Sequence, residues 1–334
     1  MKLPTPEQLK AELPLTVSDF IASSRHSAKQ ILERIDQRLI VIVGPCSIHD
    51  SASALEYARK LKKLSSDVDS AVFLIMRIFI EKPRTKLGWK GMLYDPHLDG
   101  TNDIATGLRQ SRKIIQETAE LGVPCAMELL EPLALPYFDD LIVWGLIGAR
   151  TSASQPHRQM ASGLPFPVGF KNDYRGDLEV AIAGIQSAQT SHSHIGINAQ
   201  GHVAAINTYG NPLTHLVLRG SDEHPNFDPV SIEKAIRFLQ DHHLKPRLLV
   251  DCSHGNCGKD HLRQKIAFES VVEQATKNNS IVGLMLESHL FPGKQPIGED
   301  PSLLNYGVSI TDPCLGWEET ESLIRSISMS SVQK

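Results

Sequence analysis

The sequence predicts a (β/α)8 (TIM) barrel carrying an N-terminal extension and an inserted β-hairpin, and three observations support this. Eight runs of mostly apolar residues recur along the chain, and each is followed by a segment with helical character. The runs are continuous rather than alternating, which marks strands buried on both faces, as in parallel sheets. The length of 334 residues accommodates eight such units. A doubly wound open sheet is the structural alternative. It lacks support, because no GxGxxG turn opens the first helix.

Residues 1–36 begin polar and proline-rich, with Pro4, Pro6 and Pro14, and then predict a helix over 17–35 capped by Ser18 or Asp19. This part reads as an arm outside the main domain, with an oligomerisation or regulatory role. The barrel is expected over 37–334. Its first strand is the apolar run 39–43, ending at Gly44-Pro45, with a helix over 52–64. The next units are strand 71–79 with helix 105–121, strand 123–129 with a short helix 133–140, and strand 141–149 with helix 154–163. Strand 167–171 with helix 178–189 and strand 213–218 with helix 231–242 follow. The last two are strand 247–251 with helix 261–277, and strand 281–287 with helix 318–327. One segment breaks the series. Residues 194–207 alternate apolar and polar around Gln200-Gly201, which reads as a hairpin inserted before the sixth strand.

Composition narrows the function. The net charge of −4 excludes a general polyanion binder, so no nucleic-acid partner is expected. No run of 18 apolar residues and no apolar signal core occur, so no membrane partner is expected and the chain reads as cytoplasmic. Five scattered cysteines argue against a disulfide framework and for a reducing compartment.

In a barrel, the active site is built at the C-terminal ends of the strands. Each predicted strand here delivers a charged or metal-ligating residue to that rim. The densest stretch follows strand two, where Arg77, Glu81, Lys82, Arg84 and Lys86 fall within ten positions. A solvated basic loop is the bland reading of such a run. The other rim residues oppose it: Arg77, Lys82, Arg84, Arg150, Lys171 and Arg219 put six cations at one mouth, a costly arrangement without anionic ligands. Arginine forks suit phosphate and carboxylate, so two anionic substrates are expected. A second set, Cys46, His254, Glu287 and Asp312, offers one thiolate, one imidazole and two carboxylates. That mixture suits a borderline divalent ion such as Mn²⁺, Fe²⁺, Co²⁺ or Zn²⁺. Cys46 also has other readings, as a small buried hydrophobe or as a nucleophile paired with His49 or His254. Glu128 is either a solvated strand end or a carboxylate that orders water or a lysine. His157 and Arg158 are either surface residues or a further anion contact.

Several stretches resemble a known family. They are GPCSIHD at 44–50, EKPRT at 81–85, GWKG at 88–91 and IGARTSASQPHRQMASGL at 147–164. PVGFKN at 167–172, DCSHGNCGK at 251–259, ESHL at 287–290 and SITDPCLGWEET at 309–320 extend the match. Together they resemble the metal-dependent 3-deoxy-D-arabino-heptulosonate 7-phosphate (DAHP) synthases of the microbial short type, class I. The resemblance implies condensation of phosphoenolpyruvate with erythrose 4-phosphate, the entry to the shikimate pathway. It implies that Arg77, Lys82, Glu128, Gly148, Ala149, Arg150, Lys171 and Arg219 serve phosphoenolpyruvate, and that Pro83, Arg84 and Thr85 hold the sugar phosphate. Cys46, His254, Glu287 and Asp312 would carry one divalent metal per subunit, with Lys82 and Glu128 as acid and water-positioning groups beside the ligands Cys46 and His254. A homodimer or homotetramer inhibited by an aromatic amino acid is also implied. The chain departs from the family pattern at three places. It reads Lys171-Asn172-Asp173-Tyr174-Arg175-Gly176 where KNGTDG is frequent, Ala153 where Glu is frequent, and Pro165 where Ser or Gly is common. Two competing readings are a 3-deoxy-octulosonate 8-phosphate synthase on the same barrel and a catalytically silent effector-binding barrel. The GWKG stretch and the long arm oppose the first, and retention of all four ligand candidates opposes the second.

Overall fold

The computed structural model describes residues 2–84 and 86–331, with side chains to 328. Eight strands close into a parallel barrel: β1 (Leu39–Gly44), β2 (Val72–Arg77), β3 (Cys125–Glu128), β4 (Trp144–Ile147), β5 (Val168–Lys171), β8 (Thr214–Leu218), β9 (Leu248–Asp251) and β10 (Ile281–Glu287). The remaining two strands, β6 (Ser193–Ile197) and β7 (Val203–Asn207), pair antiparallel as the inserted hairpin. Helices α3 (Ser51–Val68), α4 (Ile104–Glu120), α5 (Gln155–Ala161), α6 (Glu179–Ala188), α7 (Pro229–Asp241), α8 (Gln264–Ala275) and α9 (Trp317–Ser331) separate the strands. The connection after β3 holds only a 3₁₀ turn, Leu135–Tyr137, in place of the helix expected over 133–140. Pro136 explains this, because its ring disfavours the α conformation of the residue before it, Leu135, inside the expected helix.

Strand periodicity sorts the core into two layers. Val41, Val43, Leu74, Met76, Leu216, Leu218, Leu248 and Val250 join the helices in an outer layer. Their neighbours Ile40, Ile42, Ile75, Trp144, Val217, Leu249 and Met285 form the barrel interior. Both layers are dry, which is why the strands appear as unbroken apolar runs. Trp144 fills much of the interior. It fits because β5 carries glycine opposite: a Cβ on Gly169 would lie 2.6 Å from the indole.

The N-terminal arm differs from its expectation in two ways. It starts with a short helix, α1 (Pro6–Glu12), which the proline content had concealed. Thr5 and Gln8 form a reciprocal capping box, and Pro6 sits in the first turn, where its missing N–H costs nothing. Secondly, α2 (Ser18–Leu32) does not stand outside the barrel. Ile21, Ala28, Ile31 and Leu32 are buried in the same cluster as the interior residues, so α2 packs against the interior layer. Polar ties fix both helices. Arg25 donates to the carbonyls of Asp139 and Ile142. Arg112, fully buried, donates to the carbonyls of Leu13 and Tyr137 and forks onto Asp140 at 2.8 and 2.7 Å. The arm also reaches the hairpin, where the Glu7 N–H donates to the Ala199 carbonyl at 2.9 Å.

Arg112→Ala should strand Asp140 and two backbone carbonyls at this junction. The expected loss is about 2–4 kcal/mol, read as a lower urea midpoint together with faster proteolysis near residues 13–17.

Candidate active site

The strands of the barrel end on one rim, and the cavity there measures about 720 Å³. Every described residue of the two predicted sets lines it: Cys46, Arg77, Lys82, Pro83, Arg84, Glu128, Gly148, Ala149, Arg150, Lys171, Arg219, His254, Glu287 and Asp312. Thr85 falls outside the described residues. The spacing of these residues in the chain, from 46 to 312, reflects the barrel itself, which gathers its strand ends at one mouth.

Buried ion pairs organise the floor. Arg77 ends β2, is 1 % exposed, and donates to Glu287 Oε1 at 3.0 Å. Its guanidinium also stacks over Phe79 at 4.0 Å. Lys171 ends β5 and reaches Asp251 Oδ2 at 2.6 Å. Asp251, fully buried at the end of β9, also lies 2.9 Å from His254 Nδ1 through the same oxygen. Burial opposes the charge on Asp251, but Lys171 and His254 overcome it and hold the carboxyl well below its usual range. Asp251 thus links a substrate-side lysine to a ligand-side histidine. Its position at a strand end was the only sign of it in the sequence.

Above the floor, Cys46, Glu287 and Asp312 present ligand atoms that all lie within 4.8 Å of one another, a group that could hold a metal ion. Asp312 arrives from a long excursion after β10. Bridges between Ser288 and Leu315 and between Gly293 and Cys314 fold that excursion back onto the rim. His254, the fourth predicted ligand, points Nε2 at Glu287 Oε1 from 3.7 Å, next to the group. Lys82 Nζ stands 2.7 Å from both Cys46 Sγ and Asp312 Oδ2. The electrostatics suit a cation. Burial and the Glu287 carboxylate push the Cys46 thiol up to about 12, so the thiolate requires added positive charge. Burial works against the Lys82 ammonium, but Cys46, Asp312 and Glu287 reverse that and raise its pKa. The donor set therefore fits a divalent ion of the borderline class. Cys46 is the buried thiol of this group, 3.3 Å from Asp312 Oδ2 and 2.7 Å from Lys82 Nζ. All five cysteines are free.

Glu128 projects into the cavity close over Gly148: a Cβ there would lie 2.3 Å from Glu128 Oε1, so a larger residue would displace this carboxylate. Other singled-out residues are structural. His157 is buried, with Nδ1 at 2.7 Å from Ser154 Oγ and Nε2 at 2.8 Å from the Leu130 carbonyl. Arg158 donates to the carbonyls of Ser152 and Val180. Glu81 turns away from its basic neighbours. Its carboxyl accepts from Tyr94 Oη and the Glu131 N–H, and burial pushes it up to about 8.

Fold and site together define a closed barrel whose mouth is lined by cations beside a thiol–carboxylate group that could hold a metal ion. The chain belongs to the DAHP synthetase I family, whose model matches residues 16–325. It is 47 % identical over 328 residues to the Tyr-sensitive phospho-2-dehydro-3-deoxyheptonate aldolase of Escherichia coli K12, covering 97 % of this chain and 92 % of that one. The Trp-sensitive enzyme of the same organism is 43 % identical over 330 residues, covering 98 % and 94 %. The solved phospho-2-dehydro-3-deoxyheptonate aldolase of Francisella tularensis SCHU S4 superposes with a TM-score of 0.96 at 40 % identity, covering 99 % and 97 %. The activity is DAHP synthesis, a group transfer that opens the shikimate pathway. No described helix is long and apolar enough to cross a membrane.

The Glu81 environment makes a pH prediction. Its pKa is raised in the folded state, so the unfolded chain releases this proton first, and stability falls as pH rises from about 4.5 towards about 8. Glu81→Gln should therefore raise the melting temperature at pH 8 by at least about 2 °C, roughly 1 kcal/mol for a chain this long, and leave it unchanged at pH 4. Equal shifts at both pH values would contradict the assignment.

Proposed function

We propose that the residues gathered at the rim carry the condensation of phosphoenolpyruvate with erythrose 4-phosphate in assigned roles. Arg77, Arg150, Lys171 and Arg219 bind the two anionic groups of phosphoenolpyruvate, helped by Lys82, Glu128 and the Gly148–Ala149 backbone. Pro83 and Arg84, with Thr85 beside them, hold the sugar phosphate on the loop after β2. Cys46, Glu287, Asp312 and His254 would hold one divalent ion, drawn from Mn²⁺, Fe²⁺, Co²⁺ or Zn²⁺. When bound, such an ion supplies Lewis acidity to the aldehyde oxygen.

Carbon 3 of phosphoenolpyruvate attacks the aldehyde carbon, forming the new C–C bond, and the carbonyl electron pair moves to oxygen. Lys82 gives that oxygen a proton, directly or through water. Its placement supports the role: Lys82 Nζ lies beside Cys46 and Asp312, and a cation held by those ligands would neutralise the negative charge that keeps its proton and so make the ammonium a stronger acid. Positive charge develops at carbon 2, where water adds while Glu128 positions it and takes its proton. The resulting hemiketal phosphate loses inorganic phosphate by C–O cleavage. The observation that carries this reading is the position of Lys82, 2.7 Å from two ligand atoms and on the wall of the same cavity as the anion-binding cations.

A second cleft supports inhibition by an aromatic amino acid. It lies where α1 and the hairpin meet α5, walled by Pro6, Met160, Ile195 and Ile206, and it includes the Lys10–Asp139 ion pair, 2.5 Å between Nζ and Oδ1. Apolar walls suit an aromatic side chain, and a zwitterion would bind by exchanging its own two charges into that pair. Relatives described as Tyr-sensitive, Trp-sensitive and tyrosine-inhibited favour this class. Assembly as a homodimer or homotetramer and a cytoplasmic location belong to the same reading.

Phosphate release from phosphoenolpyruvate should require erythrose 4-phosphate, fall sharply with arabinose 5-phosphate in its place, and stop on EDTA treatment until Mn²⁺ is restored. Lys82→Ala should lower kcat by about 10²-fold or more with an unchanged near-UV spectrum; full turnover would remove Lys82 from the mechanism. At least one of phenylalanine, tyrosine and tryptophan, added singly, should reduce the rate.

A further inference from the structure

Tyr174 belongs to neither predicted set, yet it lines the active-site cavity between two of its cations. The guanidinium carbons of Arg150 and Arg219 each lie over its ring, 5.0 Å from the centroid. The ring is held from behind by a dense backbone network. Asp173 accepts from the N–H groups of Arg175 and Asp177 at 2.9 and 2.8 Å, closing the turn that carries Tyr174. The Tyr174 carbonyl accepts from the Asp222 N–H at 2.8 Å. Asn172, just before the turn, accepts from the Arg219 N–H and donates to the Gly220 carbonyl, both at 2.9 Å. The loops after β5 and β8 are thereby stitched together, and the ring of one is fixed against the arginine of the other.

The choice of residue has a physical reason. Arg77 and Lys171 are held by carboxylates, Glu287 and Asp251. A carboxylate holds a cation firmly but cancels the charge that a substrate anion needs. An aromatic face attracts a guanidinium through its quadrupole and carries no net charge. Burial raises the phenol pKa above its ordinary value, so the side chain stays neutral. The ring can therefore orient two like charges without competing for the phosphate.

We propose that Tyr174 is a positioning residue of the anion subsite, its uncharged ring holding the Arg150 and Arg219 guanidinium groups ready for the phosphate of phosphoenolpyruvate. The inference rests on the placement of phosphoenolpyruvate at those arginines.

The test uses the full chain with Mn²⁺. Tyr174→Ala should raise both the KM for phosphoenolpyruvate and its Kd, measured calorimetrically without the sugar phosphate, by about five- to tenfold, the scale of two cation–π contacts. It should leave kcat within about twofold and the KM for erythrose 4-phosphate unchanged, because only the anion end is affected. Inorganic phosphate should weaken as a competitor by the same factor. Tyr174→Phe keeps the ring and should restore wild-type values, whereas Tyr174→Leu keeps bulk without the quadrupole and should behave like Ala. Unchanged phosphoenolpyruvate affinity in Tyr174→Ala overturns the proposal, as do rescue by Leu and failure of Phe to rescue. Arg219→Ala separates the two levels. If it abolishes phosphoenolpyruvate binding while Tyr174→Ala leaves the affinity unchanged, only the role of Tyr174 falls; if it leaves binding intact, the substrate placement falls with it.

Discussion

The Arg77–Glu287 ion pair, sealed at 1 % and 4 % side-chain exposure, is the contact around which the mouth of the barrel is arranged. It links the ends of β2 and β10, the two strands that flank β1 in the closed sheet. Taking both charges out of water costs several kcal/mol each, so packing alone would favour two apolar side chains there. The pair stands where the proposed function has a cation facing substrate and a carboxylate facing a metal. Asp251 repeats the design with Lys171 on one side and His254 on the other. In both cases one carboxylate or its partner serves the anion set and the other serves the ligand set. The two halves of the chemistry are therefore electrostatically coupled before either substrate enters.

The rest of the molecule makes that arrangement affordable. The interior beneath the pairs is dry and filled by Trp144, Ile40, Ile42 and Met285, with α2 packed into the same cluster. Loops on the rim are fixed by hydrogen bonds of backbone and side chain together with buried apolar anchors such as Leu290, Ile310 and Leu315. The excursion that delivers Asp312 depends on a few bridges, and the turn that presents Tyr174 depends on Asp173 and Asn172. Charged side chains are held to defined positions on polar loops above a rigid apolar base, which is the condition for preorganised catalysis.

The elements differ in how plainly they could be read. The strands were legible because burial on both faces leaves an unbroken apolar run, and the rim residues were legible because a charged or metal-ligating residue follows each run. The hairpin was legible from its alternation around Gln200-Gly201. Helix α1 was hidden by Pro4, Pro6 and Pro14, although the Thr5-Pro6-Glu7-Gln8 stretch is a capping signal. The helix expected over 133–140 failed for the opposite reason: its apolar content was noticed and Pro136 was outweighed. Glu81 was grouped with its basic neighbours by proximity in the chain, whereas its side chain turns to Tyr94 and Glu131.

The chain order alone settled the barrel and the family, and it named the six cations and four ligand candidates that line the mouth. All of these depend on local patterns: apolar period, strand-end charge and short motifs. The partnerships required three dimensions. That Asp251 joins Lys171 to His254, that Lys82 reaches Cys46 and Asp312, and that Tyr174 faces Arg150 and Arg219 all depend on strand ends brought together from distant parts of the chain. Closure of the sheet decides those distances, and no spacing in the sequence encodes them.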